Sequence, residues 1–188
     1  MNLKKIVNFI FELGQLAFTP RSGWTFLRMK NPQNDAEHTC RVAQIAYILA
    51  IMEGRPNPER CAVMGLFHEM GEIRTLDHNK ISKRYVANDE ARAIRDQTDP
   101  LWGIGKVIAS LWREYEESET HDGRIAKDAD RLEMMFCAKE YMESGYPEAD
   151  EWFNSVPPLL TTASGKKLAK ELETASSHDW WRVIKSEK

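Results

Sequence analysis

Cysteine is scarce in this chain, and neither sign of charge dominates. The three cysteines, Cys40, Cys61 and Cys137, are an odd number without close spacing. That excludes a disulfide framework and a structural zinc knuckle, and it points to a reducing compartment, read here as cytoplasmic. With 26 basic against 29 acidic residues the net charge is -3. No basic surplus indicates a nucleic-acid polymer or a membrane surface, although a small anionic ligand needs only a local positive pocket. No apolar run approaches the roughly 20 residues of a membrane span. The start, Met1 to Gln15, is interrupted by Glu12 and lacks a small-residue cleavage site, so it is a poor match to a signal peptide. An alternating strand pattern, an internal repeat, a low-complexity tract and a linker are all missing.

What is present reads almost entirely as helix. The 188 residues are 42% hydrophobic, enough to bury a core without crosslinks, and are expected to form one all-α domain over 1–188. Leu3, Ile6, Val7, Ile10 and Leu13 have helical spacing, with Gly14 leaving the end of that helix open. Pro20 to Pro32 reads as a break. A second helix is expected from Asp35, taken as its N-cap, to Glu53, with Val42, Ile45, Ala46, Leu49 and Met52 on one stripe. Asn57 before Pro58 predicts the start of a third. Short helices are expected at about 79–86 and 88–97, another from Pro100 to about Glu117, and a long one over 121–143 closed by Gly145 and Pro147. A turn or two over 148–155, a helix from Thr161 or Thr162 to about 174, and a short Trp-rich helix complete the pattern. Trp180 and Trp181 are expected to dock the C-terminus or to join a dimer contact, and His121 and His178 are read as surface residues.

Several polar residues carry chemistry. His68, Glu69 and Glu72 cluster near the end of the third helix, and on a continuous helix positions four apart share a face, so His68 and Glu72 would meet in one cavity. Imidazole with carboxylate suits zinc, manganese, iron or cobalt, whereas a single helical histidine is more often simply hydrogen-bonded. His38, beside Glu37, fits a cap region or a packed core equally well. Asp130 shares a face with Ala126, Met134, Cys137 and Tyr141, and Asp128 lies nearly opposite, near Leu132 and Met135. A buried aspartate needs a cation or donors, and spacing alone does not choose between these two. Arg21 has the planar fork that suits a phosphate and equally suits a surface carboxylate. Trp24 suits a base or a core edge. Lys80, Lys83 and Arg84 form a basic group that a solvated helix face would explain.

The ordered set Ala36-Glu37-His38, Leu66-Phe67-His68-Glu69, Glu72, Asp77 and Asp128-Ala129-Asp130 resembles the HD-domain superfamily of metal-dependent phosphohydrolases. Within it the likeness is to the 5'-deoxynucleotidase branch, which Pro20-Arg21-Ser22-Gly23-Trp24 and the stretch from Asp77-His78-Asn79-Lys80 to Lys83-Arg84-Tyr85 also resemble. The resemblance covers about residues 5–145 and implies an all-α HD-domain helical bundle. It implies one divalent metal ion (manganese, cobalt, zinc, iron or magnesium) held by His38, His68, residue 69 and Asp130, and so selects Asp130 over Asp128. It implies Glu72 as acid/base, Asp77 as a second carboxylate near the substrate, Arg21 and Lys80 at phosphate and sugar, and Trp24 near the nucleoside. The family has aspartate where this chain has Glu69. Glutamate keeps the charge and both oxygens, but its extra methylene has to be absorbed. The implied reaction is hydrolysis of a deoxynucleoside 5'-monophosphate, the partner a small nucleotide, and the assembly expected a homodimer. Hydrolysis of a nucleoside triphosphate or of a cyclic or signalling nucleotide remains an alternative, as does a non-catalytic nucleotide-binding module with a degenerate site at Glu69.

Overall fold

The computed structural model describes residues 2–186, which fold as helices joined by short turns; Pro20 and Asn34 form an isolated antiparallel bridge. The helices are α1 Leu3–Leu13, α2 Asp35–Met52, α3 Pro58–Phe67, α4 Glu72–Thr75, α5 Glu90–Thr98, α6 Trp102–Glu117, α7 His121–Glu143, α8 Asp150–Ser155, α9 Ala163–Thr174 and α10 Asp179–Ser186. None is long and apolar enough to cross a membrane. The segment 14–18 and the break after Pro20 contain tight 3₁₀ turns, the second spanning Ser22–Leu27. Within the expected 79–86 helix the structure forms only a 3₁₀ turn, Ser82–Arg84.

Helix α2 starts one residue earlier in its capping logic than the sequence suggested. Asn34, not Asp35, is the N-cap: its side chain accepts from Glu37 N, and the Glu37 carboxylate accepts from Asn34 N in return. This reciprocal box relieves Asp35 of the capping role. Its side chain is instead fully buried and turned inward.

The main core lies between α2, α7, α8 and α9. Val42, Leu49, Ile125, Leu132, Met135 and Val156 are inaccessible to solvent there, and each such side chain contributes roughly 1.5–3 kcal/mol by burial. Gly65 lets α3 press against α2: a Cβ at that position would lie 3.0 Å from the Ala43 backbone. The close approach brings the start of α2 beside the end of α3. The long α7 packs across both. Three elements distant in sequence thus converge at one point.

The C-terminal aromatic pair does not dock on this core. Helix α10 buries none of its side chains, and Trp180 is 69% exposed. His121 has a partner that its sequence context did not reveal, with its Nε2 3.2 Å from Glu53 Oε2.

Candidate active site

His38 stands on the first turn of α2, His68 directly follows α3, and Asp130 projects from the middle of α7. The chain does not run as a continuous helix from His68 to Glu72. Helix α3 stops at Phe67, and the next turn tightens: Met70 N bonds to Phe67 O and Glu72 N to Glu69 O, both three residues back. The tightened turn, rather than a shared helical face, brings Glu69 beside the two histidines and Glu72 beside Asp35 and Asp77. Leu76 then adopts φ 66°, ψ 155°, a costly conformation for a leucine. It reverses the chain so that Asp77 returns to accept from Ser22 N at 2.5 Å.

His38, His68, Glu69 and Asp130 each place one donor atom within 4.8 Å of all the others. The two imidazole Nε2 atoms are 3.3 Å apart, and His38 Nε2 is 3.1 Å from Asp130 Oδ1. Both rings are fixed at the far side. His68 Nδ1 donates to Gly65 O at 2.8 Å, and His38 Nδ1 contacts Glu133. Asp130 is braced by the Tyr115 hydroxyl, which donates to its Oδ2 at 2.8 Å. Two nitrogens and two carboxylates converging in this way match the donor chemistry of a divalent metal.

A second set, Asp35, Glu72 and Asp77, adjoins the first with carboxylate oxygens again within 4.8 Å. Both Asp35 oxygens and Glu72 Oε2 are buried without a hydrogen-bond partner. Such groups are expensive unless a cation or proton neutralises them. Burial, with the Glu69 charge second, pushes Glu72 up to about 10, and burial lifts Asp35 to about 7. Burial also opposes ionisation of Glu69 and Asp130, but Arg21 and the histidines prevail at Glu69, and His38 and His68 at Asp130, so both carboxyls sit below their usual range. Burial opposes the charged form of His38, yet Glu133 and Asp130 outweigh it, raising the imidazole to about 9.

Arg21 lies between the two sets. Its guanidinium bonds to Glu69 and stands 3.6 Å from Asp35 and 3.7 Å from Glu72. Trp24 is buried at 3% exposure, edge-on to Tyr141 with centroids 5.1 Å apart and tilted against Trp152 at 5.3 Å. It nevertheless helps line a cavity of about 400 Å³ that runs from Arg21, His38 and Asp77 past Lys80 to Phe26, Met134 and Trp152.

Asp128 faces the other way and has no part in this cluster. It accepts from Thr162 N at 2.7 Å, from Thr162 Oγ1 at 2.8 Å and from Thr161 N at 2.9 Å. It therefore secures the entry to α9. Three site residues escaped the sequence reading: Asp35, taken as a cap, Tyr115 and Glu133. Glu133 carried a signal, since a carboxylate between Leu132, Met134 and Met135 on a long helix requires a buried partner.

An HD-domain family model matches residues 13–174. The chain belongs to the HD-domain family. Among relatives, this HD-domain protein is similar to the 5'-deoxynucleotidase HDDC2 of Danio rerio, 31% identical over 75% of this chain and 72% of that one. It is also similar to a 5'-deoxynucleotidase of Photobacterium profundum, 28% identical over 80% and 84% of the two chains. A solved structure of a conserved hypothetical protein from Pyrococcus furiosus superposes with a TM-score of 0.78 at 26% identity, covering 90% of this HD-domain chain and 99% of the other.

Proposed function

We propose that this HD-domain protein is a metal-dependent phosphohydrolase that releases phosphate from deoxynucleoside 5'-monophosphates. The observation that carries the reading is the convergence of donor atoms of His38, His68, Glu69 and Asp130 within 4.8 Å of one another, with His38 also lining the cavity of about 400 Å³. Those four residues would hold one divalent ion. Bound there, it would supply Lewis acidity toward a phosphoryl oxygen and acidify water. The carboxylate in place of the family's aspartate preserves the ligand's charge, so Glu69 argues for a working site rather than a degenerate one. The 5'-deoxynucleotidase relatives support the substrate class.

The chain's own residues divide the remaining work. Arg21 is poised to leave Glu69 for the substrate phosphate, where its fork makes paired bonds. Lys80 adds positive charge farther along the same cavity. Glu72, held protonated by burial and by Glu69, can give its proton to the departing sugar oxygen. Asp77 grips Ser22 N and so fixes the loop that carries Arg21. Trp24, Phe26, Met134 and Trp152 give the nucleoside an apolar wall.

The same reading treats residues 1–188 as one domain, supported by a family match spanning most of them. It places the protein in the cytoplasm, consistent with three free cysteines. It also pairs two copies as a homodimer. Leu3, Ile10, Phe11 and Trp180, all more than half exposed, are apolar side chains that support pairing.

The test is phosphate release from a panel of nucleotides under manganese, cobalt, zinc, iron and magnesium, with metal analysis of the same preparation. Release from 5'-deoxynucleotides ahead of their ribose counterparts is the expected result. Release of triphosphate, or of a linear product from a cyclic nucleotide, would move the chain to another HD-domain activity. Nucleotide binding without turnover under every metal would make it a binding module.

A further inference from the structure

We infer that Glu133 is a positioning residue for the metal centre: it holds the His38 ring so that Nε2, and not Nδ1, is the ligand atom. The inference rests on the metal reading above and adds to it a residue outside the four-ligand set.

Glu133 is inaccessible to solvent, one turn after Asp130 on α7. Its Oε2 contacts His38 Nδ1, and its Oε1 accepts from Gln33 Nε2 at 2.6 Å and from Arg41 Nε at 2.8 Å. Arg41 is itself anchored by Glu140 at 2.7 Å and 2.9 Å. The carboxylate is thus oriented on both oxygens, and Arg41 supplies the counter-charge that permits its burial. A carboxylate already accepting from Gln33 and Arg41 meets His38 at Nδ1, where the ring is the donor. That leaves Nε2 as the ring nitrogen facing the centre, where it stands 3.1 Å from Asp130 Oδ1 and 3.6 Å from Glu69 Oε1.

The other histidine provides a contrast within the same site. His68 Nδ1 donates to a neutral acceptor, the Gly65 carbonyl, at 2.8 Å. A carbonyl fixes orientation; a carboxylate fixes orientation and also raises the basicity of the ring. His38 is therefore the stronger nitrogen donor of the pair. Gln33 extends the arrangement to the cavity wall, because its Oε1 accepts from Trp24 Nε1 at 3.4 Å. The metal ligand His38 and the buried tryptophan behind the substrate cavity share one hydrogen-bonded bracket.

Two measurements test this. In the first, metal-free protein labelled with ¹⁵N-histidine is titrated with Zn²⁺, and the long-range proton–nitrogen spectrum reports which ring nitrogen is metallated. Coordination of His38 through Nε2 with a retained Nδ1 proton is expected; coordination through Nδ1 would overturn the inference, and this spectrum needs no variant. In the second, Mn²⁺ affinity is measured by calorimetry for the unaltered protein and for Glu133→Gln, which keeps the shape and removes the charge. A loss of about 10- to 100-fold is expected, the usual scale for such supporting partners. Equal affinity in the two proteins would overturn the role of Glu133 while leaving the metal site standing. Absence of metal binding in the unaltered protein would overturn both.

Discussion

Asp128 and Asp130 lie two residues apart on α7, yet their surroundings are opposite in kind. Asp128 is enclosed by donors, the two amides and a hydroxyl of Thr161 and Thr162, at distances down to 2.7 Å. Asp130 faces two imidazoles and the Glu69 carboxylate, with the Tyr115 hydroxyl as its hydrogen-bond donor from outside that cluster. The first environment answers a buried negative charge with the fold's own hydrogen bonds. The second gathers carboxylates that Arg21 and the imidazoles answer only in part, leaving the rest to something bound. Asp35 and Glu72 belong with the second, since Asp35 Oδ1, Asp35 Oδ2 and Glu72 Oε2 have no hydrogen-bond partner among the described residues. Burial alone therefore does not mark a functional carboxylate; the chemistry of its neighbours does.

The largest effect that would sharpen this contrast is expected at Glu72. Glu72→Gln keeps the shape but cannot exchange a proton, so kcat should fall by about a hundred- to ten-thousand-fold. Metal content should stay near that of the unaltered protein, and the melting temperature should not fall. A stable, metal-replete and fully active variant would remove Glu72 from the chemistry.

Asp128→Ala should act on the fold instead. It removes the acceptor of the Thr161 and Thr162 amides ahead of α9 and leaves the buried Thr162 amide unpaired, which costs about 1–3 kcal/mol. Urea unfolding measures this, and the folded variant should retain its metal. Loss of metal without loss of stability would reverse the roles assigned to the two aspartates.

A smaller effect is expected at Asp35, and it depends on pH. Burial raises its folded pKa to about 7, against about 3.9 in an unfolded chain. The folded state then holds the proton more tightly, so this group costs nothing below pH 4 and costs progressively more as pH rises toward 7. Asp35→Asn should therefore raise the melting temperature of the metal-free protein at pH 7.5, with the gain vanishing near pH 4. A gain that was the same at both pH values would show that the asparagine acts through packing and not through charge.

The helices were legible because their signals are local. The apolar spacing of 121–143, Pro58 after Asn57, and the cap at Thr162 all act within a few residues. The tightened turn from Phe67 to Glu72 was not legible: Gly71 lies within it but keeps helical dihedrals, φ -63° and ψ -35°, so it does not announce a helix that stops at Phe67 and resumes at Glu72. Asp35 was misread for a related reason: a cap residue and its neighbour look alike until the Asn34–Glu37 reciprocity is seen. In the candidate site, residue type and order singled out His38, His68, Glu69, Glu72 and Asp77 through resemblance. Glu133 and Tyr115 stayed hidden because their roles exist only where α7 meets α2 and α6. Spacing on α7 could not separate Asp128 from Asp130, because both positions face packed neighbours and only the neighbours' chemistry differs.

The most direct test is elemental analysis of three proteins prepared side by side: the unaltered chain, Asp130→Ala and Asp128→Ala. One divalent ion per chain is expected in the first and third, and little or none in the second, with deoxynucleotide phosphatase activity following the metal. Full metal occupancy in Asp130→Ala would contradict the account.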